Sequence, residues 1–140
     1  MKHILIDTDI ILDFFFDREP FSDHAEQLLA LCESKRIKGF VTPVICSNLY
    51  YLLRQTASHN KVIDTLKKLL LIIDVLPMDK QVALKALHSN FTDFEDALQS
   101  FACSENGNID VIITRNIKDY KNSAISVFTP GSFLRMETLY

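Results

Sequence analysis

The chain has 140 residues, 48% hydrophobic and 24% charged, a composition that suits one soluble domain with a sizeable core. Three glycines and four prolines leave little material for flexible linkers. A net charge of −3 argues against a protein that grips nucleic acid with its whole surface, although a local basic patch stays open.

The elements follow in chain order. His3 to Ile6 is a short apolar run that stops at acidic residues, as a buried parallel strand does. Asp9 to Phe16 reads as a short apolar helix. Phe21 to Arg36 reads as a longer one, with Ala25, Leu28, Leu29 and Cys32 at helical spacing. Gly39 to Val41 is a second strand. Thr42-Pro43 then supplies a cap and a first-turn proline for a helix reaching Gln55 or Ala57. A helix from Asn60 to about Leu71, a strand from Ile72 to Leu76, and a helix capped by Asp79 and running through Leu87 come next.

Thr92-Asp93-Phe94-Glu95 has the form of a capping box and predicts a helix to about Ser104. Asp110 to Thr114 is the clearest buried strand. A polar turn, a small strand at Ser126 to Phe128, and a last helix opened by Thr129-Pro130 complete the chain. Strands alternating with helices require crossovers. The expected fold is therefore a single α/β domain over residues 1–140: a three-layer α/β/α sandwich around a mainly parallel sheet of four to five short strands.

Cys32, Cys46 and Cys103 are odd in number and widely spaced, so buried free thiols in a reducing compartment are expected. No stretch is long enough to span a bilayer. The opening MKHILIDTDIILDFFF is broken by Asp7, Asp9 and Asp13, unlike a signal peptide, and a cytoplasmic protein is expected. The four histidines show no zinc spacing, and no glycine-rich phosphate loop exists.

In a parallel sheet of this kind, ligands bind beyond the carboxyl ends of the strands. Asp7, Thr8 and Asp9 follow the first strand. Thr114, Arg115, Asn116 and Asp119 follow the Asp110 strand, and Asp93, Glu95 and Asp96 open a helix. Such an oxygen-rich edge suits Mg²⁺ or Mn²⁺, which can neutralise charge developing on a phosphodiester. Each residue also has a plainer use. Asp7 can end a strand at a surface turn, and Asp9 can cap the next helix. Glu95 can close the capping box, and Asp93, one position into the helix, suits its dipole and shares a face with Asp96. Ser47 and Asn48, in a helical first turn, are either supporting groups or merely polar. Arg54, Lys61, Lys67, Lys68, Arg115, Lys118 and Lys121 are candidates for RNA contact or a solvated face.

The ordered set ILIDTDIILDFFF, TPVICSNLYYLLR, DFEDALQSFACSENGNIDVIITRNIKDY and VFTP resembles the PIN domain over essentially the whole chain. The resemblance implies a divalent-metal-dependent endoribonuclease, with the toxins of toxin–antitoxin pairs among its relatives. It places catalytic roles on Asp7, Asp96, Asn116 and Asp119, and metal roles on Asp7, Asp96, Asp9 and Asp93. Asn48, Ser47, Thr114 and Arg115 become supporting or substrate-binding. Asn48 departs from the family pattern, where glutamate is more usual, and removes a full charge; Asp9 is the residue that can partly replace it. The implied cofactor is Mg²⁺ or Mn²⁺. The implied partners are RNA, an antitoxin protein and a second copy in a homodimer, with no membrane. The alternative is a PIN-fold module that binds nucleic acid or protein with little or no turnover, and a metal-dependent phosphatase shares the chemistry.

Overall fold

A computed structural model of the protein describes residues 1–106 and 108–138. Among these residues five strands form one all-parallel sheet in the order β3-β2-β1-β4-β5, where β1 is His3–Ile6, β2 Lys38–Val41, β3 Ile73–Val75, β4 Val111–Ile113 and β5 Ser126–Phe128. Helices flank the sheet in an α/β/α sandwich: α1 (Thr8–Phe15), α2 (Ser22–Glu33), α3 (Pro43–Leu53), α4 (His59–Leu69), α5 (Lys80–Leu87), α6 (Phe94–Asn106) and α7 (Pro130–Thr138). A 3-10 turn, Ile117–Tyr120, follows β4. No helix among the described residues is long and apolar enough to cross a membrane.

The central strands are apolar because both their faces are covered. Ile4, Leu5 and Ile6 of β1, and Ile112 and Ile113 of β4, are fully buried. Registers Ile4↔Gly39 and Ile4↔Val111 place β1 in the middle. Asp110 lies outside the strand it was expected to begin. Its backbone N–H donates to the His3 carbonyl, and its side chain accepts from the His3 N–H, both at 2.8 Å, pinning the lower ends of β1 and β4. Gly39 permits the close approach of α2 to β2, since a Cβ there would lie 2.7 Å from Cys32 Sγ.

Several caps stand where the sequence puts them. Thr42 accepts from the Ile45 N–H, Asp79 from Val82 and Thr129 from Ser132. Others differ. Asp7, not Asp9, is the N-cap of α1, because β1 passes directly into the helix. The Asp93 carboxylate takes the Asp96 N–H at 3.0 Å, so Asp93 rather than Thr92 serves the start of α6, and Glu95 points its carboxylate elsewhere. The helix α2 ends at Glu33, where Lys35 adopts a left-handed φ of 62° and the Arg36 N–H reaches back to the Leu31 carbonyl. Cys32 and Cys103 are buried, and burial pushes both thiols up to about 12; Cys46 is only partly covered.

The chain fills one half of the sheet from β1 outward to β3, then crosses to β4 and β5 on the other side. The reversal opens a crevice between the carboxyl ends of β1 and β4, the switch point at which open parallel sheets bind ligands. Asp7 and Thr114 stand on its two banks.

Candidate active site

Asp7 leaves β1 with its N–H donating to the Ile113 carbonyl at 3.0 Å, which fixes its backbone against β4. Its Oδ1 accepts from the Thr8 N–H at 2.8 Å and its Oδ2 from the Thr114 hydroxyl at 2.9 Å. The Tyr120 hydroxyl lies 3.5 Å from the same Oδ2. Burial holds the Asp7 carboxyl above the usual carboxylate range, against the lowering effect of its hydrogen bonds, and neighbouring Asp9 raises it further.

Asp7 forms the inner wall of a pocket of about 480 Å³. Asp9 and Thr8 come to it from the first turn of α1, and Asn48, Tyr51 and Leu52 from α3. Asp93, Glu95, Asp96 and Gln99 come from the start of α6, and Asn116 and Asp119 from the segment after β4. Six of these side chains are carboxylates, and among the described residues no lysine, arginine or histidine lines the pocket. Asp96 feels the crowding most clearly. Burial first, then Asp93, Asp7 and Asp119, raise its carboxyl from the ordinary 3.8 to about 7, while the Tyr120 hydroxyl pulls it down.

Nine of the residues singled out in the sequence thus meet in one place: Asp7, Thr8, Asp9, Asn48, Asp93, Glu95, Asp96, Asn116 and Asp119. Asn116 Nδ2 lies 3.4 Å from Asp9 Oδ2 across the mouth, and Asn48 Nδ2 donates to Glu95 Oε2 at 3.0 Å. Three others do not line the pocket. Ser47 is exposed outside it. Thr114 is completely buried behind Asp7, and also accepts from the Asn116 N–H at 3.1 Å, so it orients the pocket wall. Arg115 turns away: its Nε and Nη2 donate to Asp13 at 2.9 and 3.2 Å, and its guanidinium stacks 4.1 Å from the Phe21 ring centre. Of the other basic candidates, Arg54 donates to the Ala57 carbonyl, and Lys118 lines a small cleft with Asp119.

Gln99 and Tyr120, with no marking in the sequence, also matter, and Glu95 and Asp13 take roles other than those expected of them. Gln99 is buried in the pocket wall and accepts from the Thr42 hydroxyl at 2.6 Å, tying α6 to the cap of α3. Tyr120 is buried against Asp7, and Glu95 lines the pocket instead of closing a capping box. Asp13, 1% exposed, anchors Arg115 and Arg18. An aspartate inside the apolar run of residues 10–16 was a signal in the sequence for Asp13.

The donor set is all oxygen, which selects hard cations over zinc or copper. Among the described residues no three His, Cys, Asp or Glu side chains converge as a ready cage. Mg²⁺ does not require one, since it keeps several waters and takes only one or two carboxylates together with substrate phosphates. The residues present fit a cation of that kind.

The comparisons with known proteins agree on architecture. The VapBC2 structure from Rickettsia felis, bound to a promoter DNA fragment, matches with a TM-score of 0.62 at 13% identity, covering 91% of this chain and 98% of that one. DNA-bound VapBC from Salmonella typhimurium matches at 0.67 and 15%, covering 93% and 99%. Mycobacterium tuberculosis VapC20, described as a Sarcin-Ricin loop cleaving toxin, matches at 0.59 and 17%, covering 78% and 86%. At such identities the likeness speaks for the fold. Comparison with curated proteins finds no match. The sequence profile of the PIN domain, however, matches residues 3–118. The chain belongs to the PIN-domain family.

Proposed function

We propose that the protein is a Mg²⁺- or Mn²⁺-dependent endoribonuclease of the PIN type that hydrolyses RNA phosphodiester bonds. One observation carries this reading: six carboxylates and no cationic side chain, among the described residues, line a pocket at the sheet's switch point. Carboxylates so crowded repel one another, and a divalent cation relieves that repulsion. Asp7 and Asp96 would hold the ion, with Asp9 and Asp93 beside them. When bound, the ion supplies Lewis acidity and charge neutralisation at the phosphodiester.

The chain's own groups do the rest. Thr114 and the Thr8 N–H fix both oxygens of Asp7, so its carboxylate is pre-oriented. Asn116 and Asp119 stand at the mouth, where they can orient a water or a substrate oxygen. VapBC and FitAB are described as bound to DNA and VapC20 as a toxin, and these likenesses support an antitoxin as this chain's partner. Self-association into a homodimer belongs to the same reading.

Calorimetric Mn²⁺ titration tests the premise. Asp7→Asn and Asp96→Asn are expected to abolish most of the binding shown by the wild type, and with it RNA cleavage. Isotherms indistinguishable from wild type would remove the site. A second reading, a PIN-fold binding module without turnover, draws on Asn48, which puts an amide where an acid would add charge and engages Glu95 instead. Asn48→Glu distinguishes them: tighter Mn²⁺ binding with faster cleavage marks a weakened but catalytic site.

A further inference from the structure

Beside the acidic pocket lies a second groove of about 480 Å³ with the opposite character. Phe21, His24, Arg115, Asn116, Pro130 and Arg135 contribute to its walls, and among the described residues no aspartate or glutamate lines it. Asn116 lines both cavities, so the two adjoin at that residue. We propose that this groove is the path of the RNA strand next to the scissile phosphate, with Arg115 gripping a flanking phosphate and Phe21 and Pro130 bearing against a base. The inference rests on the ribonuclease reading and deepens it.

The argument begins with repulsion. A polyanion meeting six carboxylates gains from a bound cation only at the phosphate which that cation touches, so neighbouring phosphates need positive charge elsewhere. The adjoining groove is where Arg115 and Arg135 are placed. Its volume falls in the range of small-ligand sites, room for an unpaired nucleotide.

Arg115 is prepared for this work. Asp13, 1% exposed, takes the guanidinium by a two-point contact from below, and the Phe21 ring holds it flat at 4.1 Å. The Nη1 group has no partner among the described residues, and the side chain is 26% exposed. A guanidinium so fixed loses little further freedom when it binds a phosphate. Phe21, 39% exposed, adds an aromatic surface of the kind that unpaired bases stack on. Opposite it, Gly131 keeps α7 close, since a Cβ there would come 3.0 Å from His24 Cε1.

The test measures binding rather than turnover. Anisotropy of a short fluorescein-labelled single-stranded RNA in EDTA compares wild type, Arg115→Lys and His24→Glu. Arg115→Lys keeps the charge beside Asp13 but loses the fork, and is expected to weaken binding several-fold. His24→Glu alters an exposed side chain with little risk to folding. It is expected to weaken binding at low salt, with the defect shrinking as salt screens the added charge. RNA carrying 4-thiouridine is expected to crosslink to peptides containing Phe21 or Pro130.

Wild-type affinity in both variants, or crosslinks only elsewhere, overturns the proposal. So does unchanged RNA affinity together with altered sedimentation of His24→Glu, which would give the groove to a second copy of the chain. Mn²⁺ titration keeps the two ideas apart. Both groove variants should bind the metal as wild type does, and a loss of metal and RNA binding together would overturn the idea of a separate groove. Failure of the ribonuclease reading shows itself independently, in the Asp7→Asn and Asp96→Asn isotherms.

Discussion

Two aspartates six positions apart, Asp7 and Asp13, are both buried, at 9% and 1% exposure, yet their surroundings are opposite. Asp13 faces two guanidinium groups, Arg115 in a two-point contact and Arg18 at 3.5 Å. Asp7 faces hydroxyls, one backbone N–H and further acids. A buried carboxylate with a counter-charge keeps its charge inside the fold; one without it is pushed towards the neutral form. The same short helix carries both, one at its cap and one on its buried face.

The contrast is breakable. The largest effect is expected from Arg115→Ala, which leaves Asp13 with only the more exposed Arg18. Removing one partner of a buried pair should cost about 3 kcal/mol of unfolding free energy, read by urea titration. A loss under about 1 kcal/mol would mean that the pair is not structural. Next, Thr114→Val strips Asp7 Oδ2 of its shortest hydrogen bond, with an expected cost of about 2 kcal/mol in the same assay.

A smaller and reversible effect comes from pH. The Asp96 carboxyl is raised in the folded state, so it ionises more readily when unfolded. Its contribution to stability is complete below about 4 and is lost as pH rises towards about 7. Partial exposure screens the size of this loss. Metal-free protein should therefore melt at lower temperature near pH 7 than near pH 5, and Mn²⁺ should flatten the difference. An unchanged slope with Mn²⁺ would place the ion elsewhere. The smallest effect is expected from Tyr120→Phe. Its hydroxyl is 3.5 Å from Asp7, so stability should fall by less than about 1 kcal/mol, while Mn²⁺ binding persists.

Much of the fold was legible because its signals are local. Thr42-Pro43, Asp79 and Thr129-Pro130 open helices by chemistry contained within one turn, and the apolar runs of β1 and β4 announce strands covered on both faces. Locality also explains the misreadings. Thr92 and Asp93 compete for the same helix start, and the carboxylate took the free N–H of Asp96. Glu95 was released by that outcome and found Asn48, 47 residues away.

Among candidate site residues, those at the ends of strands were readable from topology, as Asp7 was. Arg115 follows a strand too, but its direction is set by Asp13, 102 residues earlier in the chain. Gln99 and Tyr120 are buried polar groups, and only the packed structure shows what each one meets.

The hydrogen bond from Thr114 to Asp7 spans 107 positions. A nascent or truncated chain that ends before β4 has the first acid but nothing to orient it, and no second bank for the crevice. Every route to the pocket must first close that long loop, a step that costs chain entropy and slows folding. The acidic site is therefore among the last things the molecule acquires during synthesis. A chain built this way carries no assembled acidic pocket until most of it has left the ribosome.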